Sequence, residues 1–429
     1  MKIINIGILG LGVVGSGVVR ILQNHHGDFL RDQEIDLRLI AVSSRRDTQA
    51  RELGLLDIYS PDTASVTANP RIDVVLELMG GIDKAYECVK AALESGKSVV
   101  TANKALIATH GRELMRLAGE HAAEIAFEAS VGGGIPIIGP LRHTLASNRI
   151  LSVMGIVNGT TNYMLGRMSD HGLDYASALA EAQALGYAEA DPTADVEGLD
   201  AAAKIAILSM IAFNTDIRLD QVKTEGISKI TTTDIQAAAE AGYTLKLLAI
   251  AQRQPTGIDI RVHPTMIKRS HPLASVSGVF NAIYVVGDAV GETMFYGRGA
   301  GADPTASSVV GDLIELARHR AYQETIAQPV WDTEGLPILD DSVLESTFYL
   351  RLPVMDKPGT LAASATIFAD LGISIASMVQ HAATGQEAEL IYFTHQAPVA
   401  AVMTALDRLI ISGILTSPAS CIYTIAGDH

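Results

Sequence analysis

The sequence predicts an α/β protein with several domains, and three observations lead to this fold class. The chain has 429 residues, which is too long for one hydrophobic core. Its first third alternates apolar, β-branched runs with helical patterns, as parallel sheets covered by helices do. The middle is rich in strand patterns, which favours an α+β domain with a mixed sheet, and residues 346–429 follow the order β-α-β-β-α-β.

Composition and charge limit the class of function. Hydrophobic residues make up 48% of the chain and charged residues 19%, which is typical of a well-packed globular protein. The net charge of −16 argues against nucleic acid or an anionic membrane as a partner. The start of the sequence reads directly as a strand, which predicts no signal peptide, and apolar runs such as residues 205–213 are too short to span a bilayer. With only Cys88 and Cys421, far apart in sequence, we expect a cytoplasmic protein with reduced thiols.

A glycine-rich turn follows the first predicted strand, residues 3–9. Its sequence is Gly10-Leu11-Gly12-Val13-Val14-Gly15, and a helical pattern begins directly after it. In this context the first glycine makes the tight turn, the second lets the backbone approach a pyrophosphate, and the third lets helix and strand pack closely. The helix N-terminus then faces the phosphates. The motif therefore predicts a dinucleotide-binding domain of the Rossmann type.

The end of the second predicted strand, residues 37–42, indicates which dinucleotide is bound. An acidic residue there would favour NAD, but the sequence reads Ser43-Ser44-Arg45-Arg46. A hydroxyl and two guanidinium groups suit a 2′-phosphate, so NADP is favoured and NAD remains possible. The alternative is that both arginines are solvated loop charges.

A lysine follows another strand of the predicted parallel sheet. Residues 72–78 and 98–101 read as buried strands, and the second ends in Thr101-Ala-Asn-Lys104. Since the carboxyl ends of such strands face the cofactor crevice, Lys104 is expected near the nicotinamide. The alternative is an ordinary loop lysine. Residues 112–123 then predict a helix and residues 124–128 a further strand.

A run of glycines at residues 132–134 marks the entry to the middle of the chain. Glu128 precedes it, and hard cations are bound by carboxylate and carbonyl oxygens of this kind. A cation-binding turn and a plain hinge both explain the pattern. Further on, the polar turn Asn158-Gly-Thr-Thr-Asn162 suits either a binding site or the cap of the next helix.

The richest local pattern surrounds Lys204. Asp191-Pro192 is a typical helix start, and the helical pattern runs from there to about Phe213 with a single glycine, Gly198. Asp200 and Lys204 are four residues apart and share a face, where acidic surroundings give way to apolar ones. A buried lysine suits catalysis, whereas the alternative is a surface ion pair.

Four domain segments follow from these patterns. Residues 1–130 form the dinucleotide-binding domain and residues 131–327 the substrate, catalytic and dimerisation domain. Within the latter, a glycine-rich stretch precedes a helix at about residues 303–320, which is expected to return to the dinucleotide-binding domain. Residues 328–345 read as a linker, and residues 346–429 as a small separate domain.

Motifs spread over nearly the whole chain carry a family resemblance. They are Gly10-Leu-Gly12-Val-Val-Gly15, Thr101-Ala-Asn-Lys104, Asn158-Gly-Thr-Thr-Asn162, Gly186-Tyr-Ala-Glu189-Ala-Asp-Pro-Thr-Ala-Asp195, Asp200-Ala-Ala-Ala-Lys204 and Gly299-Ala-Gly301. Together they resemble homoserine dehydrogenase. Residues 346–429, with Asp356-Lys-Pro-Gly359 and Gly372-Ile-Ser-Ile375, resemble a ferredoxin-like ACT domain. Because no aspartate-kinase region precedes the motifs, the resemblance is to the monofunctional form.

The resemblance implies an activity and a set of site residues. The activity is the reversible NAD(P)H-dependent reduction of L-aspartate 4-semialdehyde to L-homoserine, in threonine, methionine and isoleucine biosynthesis. Lys204 would be the acid/base residue, with Lys104 beside nicotinamide and substrate, and the substrate would bind at Glu189, Asp195 and Asp200. The cofactor would lie along Gly10, Leu11, Gly12, Val13, Val14, Gly15, Arg45, Gly80, Lys104, Gly186 and Gly301. A structural sodium ion would bind at Glu128, Val131, Gly133 and Ile135.

The resemblance also implies regulation and assembly. An ACT domain implies an amino-acid effector, with threonine as the expected one, and the enzyme is expected to be a homodimer or homotetramer. Two other functions fit the same patterns: another NAD(P)-dependent amino-acid or semialdehyde oxidoreductase with an ACT sensor domain, or a non-catalytic sensor of nucleotide and amino acid. A phosphorylating semialdehyde dehydrogenase would need a nucleophilic cysteine, and neither Cys88 nor Cys421 is suitably placed.

Overall fold

The computed structural model describes residues 2–322, 331, 335–382 and 387–425. The strands are β1 (Lys2–Leu9), β2 (Ile35–Ser43), β3 (Tyr59–Ser60), β4 (Val74–Glu77), β5 (Ser98–Thr101), β6 (Ile125–Ala126), β7 (Ile150–Ile156), β8 (Lys223–Thr224), β9 (Tyr243–Gln254), β10 (Gly257–Lys268), β11 (Phe280–Gly287), β12 (Gly291–Arg298), β13 (Glu345–Met355), β14 (Ile375–Ala382), β15 (Glu387–Thr394), β16 (Ala397–Pro398) and β17 (Ser420–Ile425).

The helices alternate with these strands in the first third of the chain and become longer in the middle. They are α1 (Val13–Asn24), α2 (His26–Gln33), α3 (Thr48–Glu52), α4 (Ala64–Thr67), α5 (Asp83–Glu94), α6 (Lys104–Glu120), α7 (Gly159–His171), α8 (Tyr175–Ala184), α9 (Thr193–Val196), α10 (Leu199–Phe213), α11 (Thr232–Glu240), α12 (Ala302–Tyr322), α13 (Thr360–Asp370) and α14 (Val399–Ile411). Within the described ranges, none of them is long and apolar enough to cross a membrane.

The chain divides into two compact units. The first comprises Met1–Val157, Ala202–Val222 and Phe280–Gly335, and the second comprises Asn158–Ala201, Lys223–Val279 and Leu336–His429. This division cuts across the sequence-based domain limits, because the middle of the chain contributes segments to both units. The predicted limits follow the order of the sequence, whereas the two compact units each combine segments that are distant in sequence.

The first unit contains a parallel sheet with the strand order β3-β2-β1-β4-β5-β6. β1 pairs with β2 on one side and β4 on the other, and the buried β-branched residues of these strands, such as Ile6 and Val74, fill its core. The register puts Leu9, Ser43, Glu77 and Thr101 side by side at the carboxyl edge. The predicted Rossmann-type fold is confirmed.

α12 packs on α1 within this unit. A Cβ placed on Gly17 of α1 would lie 3.0 Å from the Cβ of Ala306 on α12, so the glycine permits the close approach. Residues of α12, among them Val309 and Leu313, belong to the same core as β1. The strands β12, β11 and β7 form an antiparallel arrangement in that order in the same unit.

The second unit is built on the antiparallel pair β9 and β10, with β8 parallel to β10. Its carboxyl-terminal part has the predicted order β13-α13-β14-β15-α14-β17, with the short β16 paired to β13. Strands β17, β13, β15 and β14 lie in that order, and α13 and α14 share a core with them. The predicted ferredoxin-like fold is confirmed.

This carboxyl-terminal sheet is not separate from the rest of the second unit. β17 pairs in parallel with β10, with Thr265 opposite Tyr423 and Ile267 opposite Ile425. The described part of the predicted linker is also packed on β10, since Ile258 exchanges backbone hydrogen bonds with Pro337 and Leu339. The sheet of the carboxyl-terminal part is therefore continuous with β10. Residues 328–330 and 332–334 of that linker lie outside the described residues.

The long helix predicted from Asp191-Pro192 to Phe213 is wrong as a single element. The chain forms α9, breaks at Gly198 and resumes as α10. Gly198 has φ +80°, and a Cβ there would lie 3.1 Å from the side chains of Thr224 and Val262. The left-handed conformation and the close neighbours require glycine at this position.

Two boundaries after β5 also differ from the prediction. α6 begins at Lys104 instead of residue 112, because the Asn103 side chain accepts a hydrogen bond from the Leu106 amide and caps the helix. The strand predicted for residues 124–128 is limited to β6, and Glu128 begins a single turn of 3₁₀-helix, Glu128–Ser130.

Candidate active site

The glycine-rich turn between β1 and α1 has the geometry of a nucleotide-binding turn. Gly10 has φ +100°, and a Cβ there would lie 2.5 Å from the Leu78 carbonyl oxygen. A Cβ on Gly15 would lie 2.1 Å from the Gly10 carbonyl oxygen. By contrast, no atom lies within 4 Å of a Cβ built on Gly12, and Val13 is 71% exposed although it is apolar. The first and third glycines are therefore required by the turn itself, whereas Gly12 opens onto free space.

The remaining residues predicted to bind the nucleotide differ in their burial. Leu11 is buried in the core and Val14 is half-buried. At the end of β2, the Gly10 amide donates to the Ser43 carbonyl, which brings the two strand ends together. Arg45 follows, exposed, in the loop after β2. Arg45 is thus two residues after the strand end that contacts the turn.

A closed set of hydrogen bonds joins the ends of β4 and β5. The buried Glu77 carboxylate accepts from the Thr101 hydroxyl at 2.6 Å and from the Met79 amide at 2.8 Å. The Asn103 amide nitrogen donates to the Thr101 hydroxyl, and its side chain donates to the Gly81 carbonyl at 2.7 Å. These bonds fix the turn that contains Gly80 and the turn that presents Lys104.

Lys104 is the first residue of α6 and is half-buried. It directly follows the capping residue Asn103, so the cap fixes the position of the Lys104 backbone. Gly80, in the neighbouring turn, has no atom within 4 Å of a built Cβ. The carboxyl edge of the sheet thus carries both residues next to open space, where a cofactor of this fold class binds.

Burial of Glu77 makes stability depend on pH. Desolvation raises the pKa of Glu77 from 4.5 to about 7 against the opposing hydrogen bonds from Thr101 and Met79. Because the folded state holds this proton more tightly than the unfolded state, the free energy of unfolding falls as the pH rises from about 4.5 to about 7. The variant Glu77→Gln removes this penalty, so it should gain up to about 3 kcal/mol relative to wild type across that window. Denaturant unfolding at both ends of the window measures the difference; a constant difference contradicts the assignment.

The loop predicted to bind a cation is tightly organised. The Glu128 carboxylate accepts hydrogen bonds from the amides of Ile137, Ile138 and Gly139 at 2.6 to 2.8 Å. Gly132 and Gly133 have positive φ, and the Gly133 carbonyl accepts from the Ser308 hydroxyl at 2.7 Å.

A cation at this loop would share oxygens that already accept hydrogen bonds. A carboxylate has room for about four hydrogen bonds or ligands, and Glu128 uses three. Val131 and Ile135 follow within the same turn, and both are buried. In the ranges that the structure describes, no group of three or more His, Cys, Asp or Glu residues is arranged to hold a metal ion.

In the second unit, the side chain of Asn158 contacts two of the predicted acidic residues. It caps α7 through its side-chain oxygen, which accepts from the Thr161 amide at 2.9 Å. Its side-chain nitrogen donates to Asp195 at 2.7 Å and to Asp200 at 3.0 Å. One amide therefore fixes the separation of two carboxylates, which can receive an ammonium group.

Glu189 and Gly186 lie on the segment that leads to these acids. Both are exposed, and Gly186 has φ +74° with no atom within 4 Å of a built Cβ. The segment is tied to α7, since the Thr160 hydroxyl donates to the Tyr187 carbonyl at 2.7 Å. Gly301, in the first unit, has φ +125° and directly precedes α12.

Lys204 is half-buried on α10, one helical turn after Asp200. Its Nζ donates to the Val157 carbonyl at 2.6 Å. Because Val157 is the last residue before Asn158, the lysine and the amide that holds the acids are tied to adjacent residues of the chain. The first half of α10 thus combines a fixed ammonium with a fixed carboxylate.

Sequence reasoning missed some residues that organise these sites. The bridging role of Asn158, the buried Glu77 and the buried Lys246 of β9 were not predicted. The available signal was weak: an acid at the end of one apolar strand, a lone lysine inside another, and an asparagine two residues after the end of β7.

A Rossmann-type sheet with an open glycine turn is typical of NAD(P)-dependent oxidoreductases. Comparison with known proteins identifies the family. Residues 10–128 match the NAD-binding domain of homoserine dehydrogenase, residues 136–314 match homoserine dehydrogenase itself, and residues 348–410 match the ACT domain. The chain belongs to the homoserine dehydrogenase family.

Individual relatives agree over most of the chain. A homoserine dehydrogenase from Pseudomonas aeruginosa is 45% identical, and the match covers 92% of this chain and 93% of the relative. The crystal structure of a homoserine dehydrogenase from Thiobacillus denitrificans has a TM-score of 0.94 at 40% identity, over 99% of each chain. A hyperthermophilic archaeal homoserine dehydrogenase in complex with NADPH has a TM-score of 0.64 at 28% identity, over 76% of this chain and 100% of its own.

Proposed function

We propose that the chain reduces L-aspartate 4-semialdehyde to L-homoserine with NADPH, reversibly, within threonine, methionine and isoleucine biosynthesis. The observation that carries this proposal is the arrangement around α10, where Asn158 holds Asp195 and Asp200 and Lys204 follows one turn later. An ammonium suits the reacting oxygen of an aldehyde, and carboxylates suit the ammonium group of an amino acid. Family membership supports the same reaction.

The chemistry needs a hydride at the aldehyde carbon and a proton at its oxygen. NADPH, when bound, supplies the hydride. As the hydride adds to the carbonyl carbon, the π electrons of the C=O bond move onto the oxygen, and Lys204 donates a proton from Nζ to this developing alkoxide. In the reverse direction, the neutral amine of Lys204 takes the proton back from the hydroxyl group. Its bond to the Val157 carbonyl uses one donor and orients the ammonium. Lys104 contacts substrate and nicotinamide, while Glu189 helps Asp195 and Asp200 to hold the amino acid.

The proposed activity is tested by following NADPH loss with aspartate 4-semialdehyde and identifying homoserine as the product. Turnover with this substrate and none with glyceraldehyde 3-phosphate or succinate semialdehyde supports the proposal. Cofactor oxidation only with another semialdehyde would favour a different oxidoreductase, and binding without turnover would favour a sensor. A phosphorylating mechanism has little support, since burial raises the pKa of both cysteine thiols, that of Cys421 to about 12.

Cofactor preference is proposed to depend on Arg45. Arg45 is exposed in the loop after β2, and in this fold class the residues that follow this strand contact the adenosine ribose or its 2′-phosphate. Losing a charge-assisted bond should raise the KM for NADPH about tenfold or more in Arg45→Ala and leave the KM for NADH nearly unchanged. Initial rates with both cofactors measure this. Arg46→Ala is the matched control, and the same effect there but not in Arg45→Ala contradicts the assignment.

A sodium ion is proposed at the loop that follows Glu128. The ligands would be the Glu128 carboxylate and the carbonyls of Val131, Gly133 and Ile135. The support is a carboxylate and closely spaced carbonyls in a turn with two consecutive glycines at positive φ. The ion would stiffen the turn that contacts Gly299, because a Cβ on Gly133 would lie 2.5 Å from the Gly299 carbonyl oxygen.

The ACT domain is proposed to bring feedback inhibition by an amino acid, with threonine as the first candidate. Its sheet is joined to β10 through β17, and a buried ion pair adds a second connection. Arg351 of β13 donates to Asp234 of α11 at 2.8 Å. Burial raises the pKa of Asp234, but the bonds from Arg351 and Thr231 outweigh it and keep this pKa below its ordinary value. We also propose that the enzyme assembles as a homodimer or homotetramer and that it is located in the cytoplasm.

The ion pair gives a test of this regulation that leaves the sheet intact. Deleting the ACT domain would expose β10 and strip Asp234 of its partner, so a point variant is preferable. Arg351→Lys keeps the charge but loses the planar donor geometry. We expect unchanged activity without effector and an inhibitory threonine concentration raised about fivefold, an effect of the size typical for coupling between sites. Arg408→Lys, on the exposed face of α14, is the control. Equal inhibition of both variants contradicts the coupling, and an uninhibited wild type contradicts threonine as effector.

A further inference from the structure

Lys246 lies buried in the core of the second unit. It is on β9, with 5% of its surface exposed. Its Nζ donates to the side-chain oxygen of Asn162 at 2.9 Å and to the Val276 carbonyl at 2.6 Å. Burial lowers the pKa of Lys246 to about 8, partly opposed by Asp170. A buried ammonium is costly, and an apolar side chain of similar size would serve packing at lower cost.

Asn162 is a residue of α7, so its bond with Lys246 ties this helix to β9. It is 1% exposed, and its side-chain nitrogen donates to the carbonyls of Val276 and Gly278 at 3.3 and 3.0 Å. Since the ammonium can only donate, Lys246 fixes which end of the Asn162 amide is the acceptor. Both ends of this amide are thus used, and the first turn of α7 is held against β9 and the segment after Val276.

The same turn carries the residues that organise the proposed substrate site. Asn158, one turn before Asn162, bridges Asp195 and Asp200. Thr160, between them, donates to the Tyr187 carbonyl two residues before Glu189. A rotation of α7 about its axis would therefore move both sets of contacts together.

We propose that Lys246 is a positioning residue for substrate binding, acting through Asn162 on the orientation of Asn158. This inference rests on the proposed function, since it concerns the acids assigned to the amino-acid end of the substrate. The affected step is binding of aspartate 4-semialdehyde. The nucleotide turn at Gly10 and the turns at Gly80 and Lys104 belong to other elements. Of the residues expected along the cofactor, Gly186 is next to Tyr187, which Thr160 contacts, so the KM for NADPH should change much less than the KM for aspartate 4-semialdehyde.

The test separates the KM values for the two substrates. In Lys246→Met and in Asn162→Ala, the KM for aspartate 4-semialdehyde should rise about tenfold or more, as loss of bonds to a charged group implies. The KM for NADPH should stay within about twofold of wild type, and Lys246→Arg should recover part of the loss because it keeps charged donors. Lys97→Met is the matched control: Lys97 is also 5% exposed, and its pKa is also lowered by burial, but it lies before the opposite, amino end of β5.

Three outcomes overturn the proposal. The first is a folded Asn162→Ala or Lys246→Met enzyme whose KM for aspartate 4-semialdehyde stays near the wild-type value. The second is an equal rise of both KM values, which would mark a general loss of structure. The third is failure of both variants to fold, which would assign the network to stability alone. If the wild type itself does not use aspartate 4-semialdehyde, the proposed function fails instead.

Discussion

Replacing Lys204 with alanine should lower kcat about a thousandfold while NADPH still binds, because the variant loses both a proton donor and a fixed charge at the developing alkoxide. Lys204 is on α10, and its bond to the Val157 carbonyl is the contact that orients it. The nucleotide turn at Gly10 is part of other elements and does not depend on this side chain. Stopped-flow or steady-state rates measure kcat, and fluorescence titration measures NADPH binding.

The control for this experiment is Lys229→Ala. Its side chain is 83% exposed and its contact with Glu225 at 3.8 Å is a surface pair, so activity should be unchanged. A Lys204→Ala enzyme with kcat within about tenfold of wild type would remove Lys204 from the chemical step, because general acid catalysis is worth about a hundredfold or more. Loss of NADPH binding in that variant would instead indicate a damaged fold.

The second large effect is expected at the glycine turn. Gly12→Ala should weaken NADPH binding about a hundredfold, because the backbone approaches the pyrophosphate at this glycine. Its stability should be unchanged, since Gly12 has φ −76° and no atom lies within 4 Å of a built Cβ. Gly15→Ala should instead destabilise the fold, since its Cβ would lie 2.1 Å from the Gly10 carbonyl oxygen. Thermal unfolding and NADPH titration of both variants measure the contrast.

This pair of variants tests whether the open space at Gly12 is the pyrophosphate site. Tight NADPH binding by Gly12→Ala contradicts that assignment directly. A large loss of thermal stability in Gly12→Ala would show that the residue serves the turn, as Gly10 and Gly15 do. Each variant thus answers a different question about the same motif.

The parts of the fold that depend on local sequence were predicted from it. The glycine turn, its strand and its helix occupy consecutive residues, and so do the elements of the ACT domain, because each is specified by its own hydrophobic period and turn residues. The break in the helix at Gly198 was missed, since it depends on Thr224 and Val262, which pack against that glycine from elsewhere in the chain. The pairing of β17 with β10 was missed for the same reason: it joins residues more than a hundred positions apart.

The site residues show the same limit. Lys204 was singled out because the acid, the lysine and the apolar face lie on one helix. The side chain of Asn158 was not, because its partners Asp195 and Asp200 are 37 and 42 residues away. Lys246 and Asn162, 84 residues apart, meet only through the packing of α7 on β9. Sequence patterns therefore predicted which groups react, whereas the contacts of Asn158, Asn162 and Lys246 could be described only from the structure.

The most direct test of the central claim is the fate of a deuterium label. The enzyme would be supplied with aspartate 4-semialdehyde and NADPH deuterated at its transferable position, and the product would be analysed by mass spectrometry and NMR. The account predicts homoserine with one deuterium on the carbon that bears the new hydroxyl group, formed by wild type and nearly absent with Lys204→Ala. Unlabelled homoserine, or cofactor oxidation without homoserine, would contradict direct hydride transfer at this site.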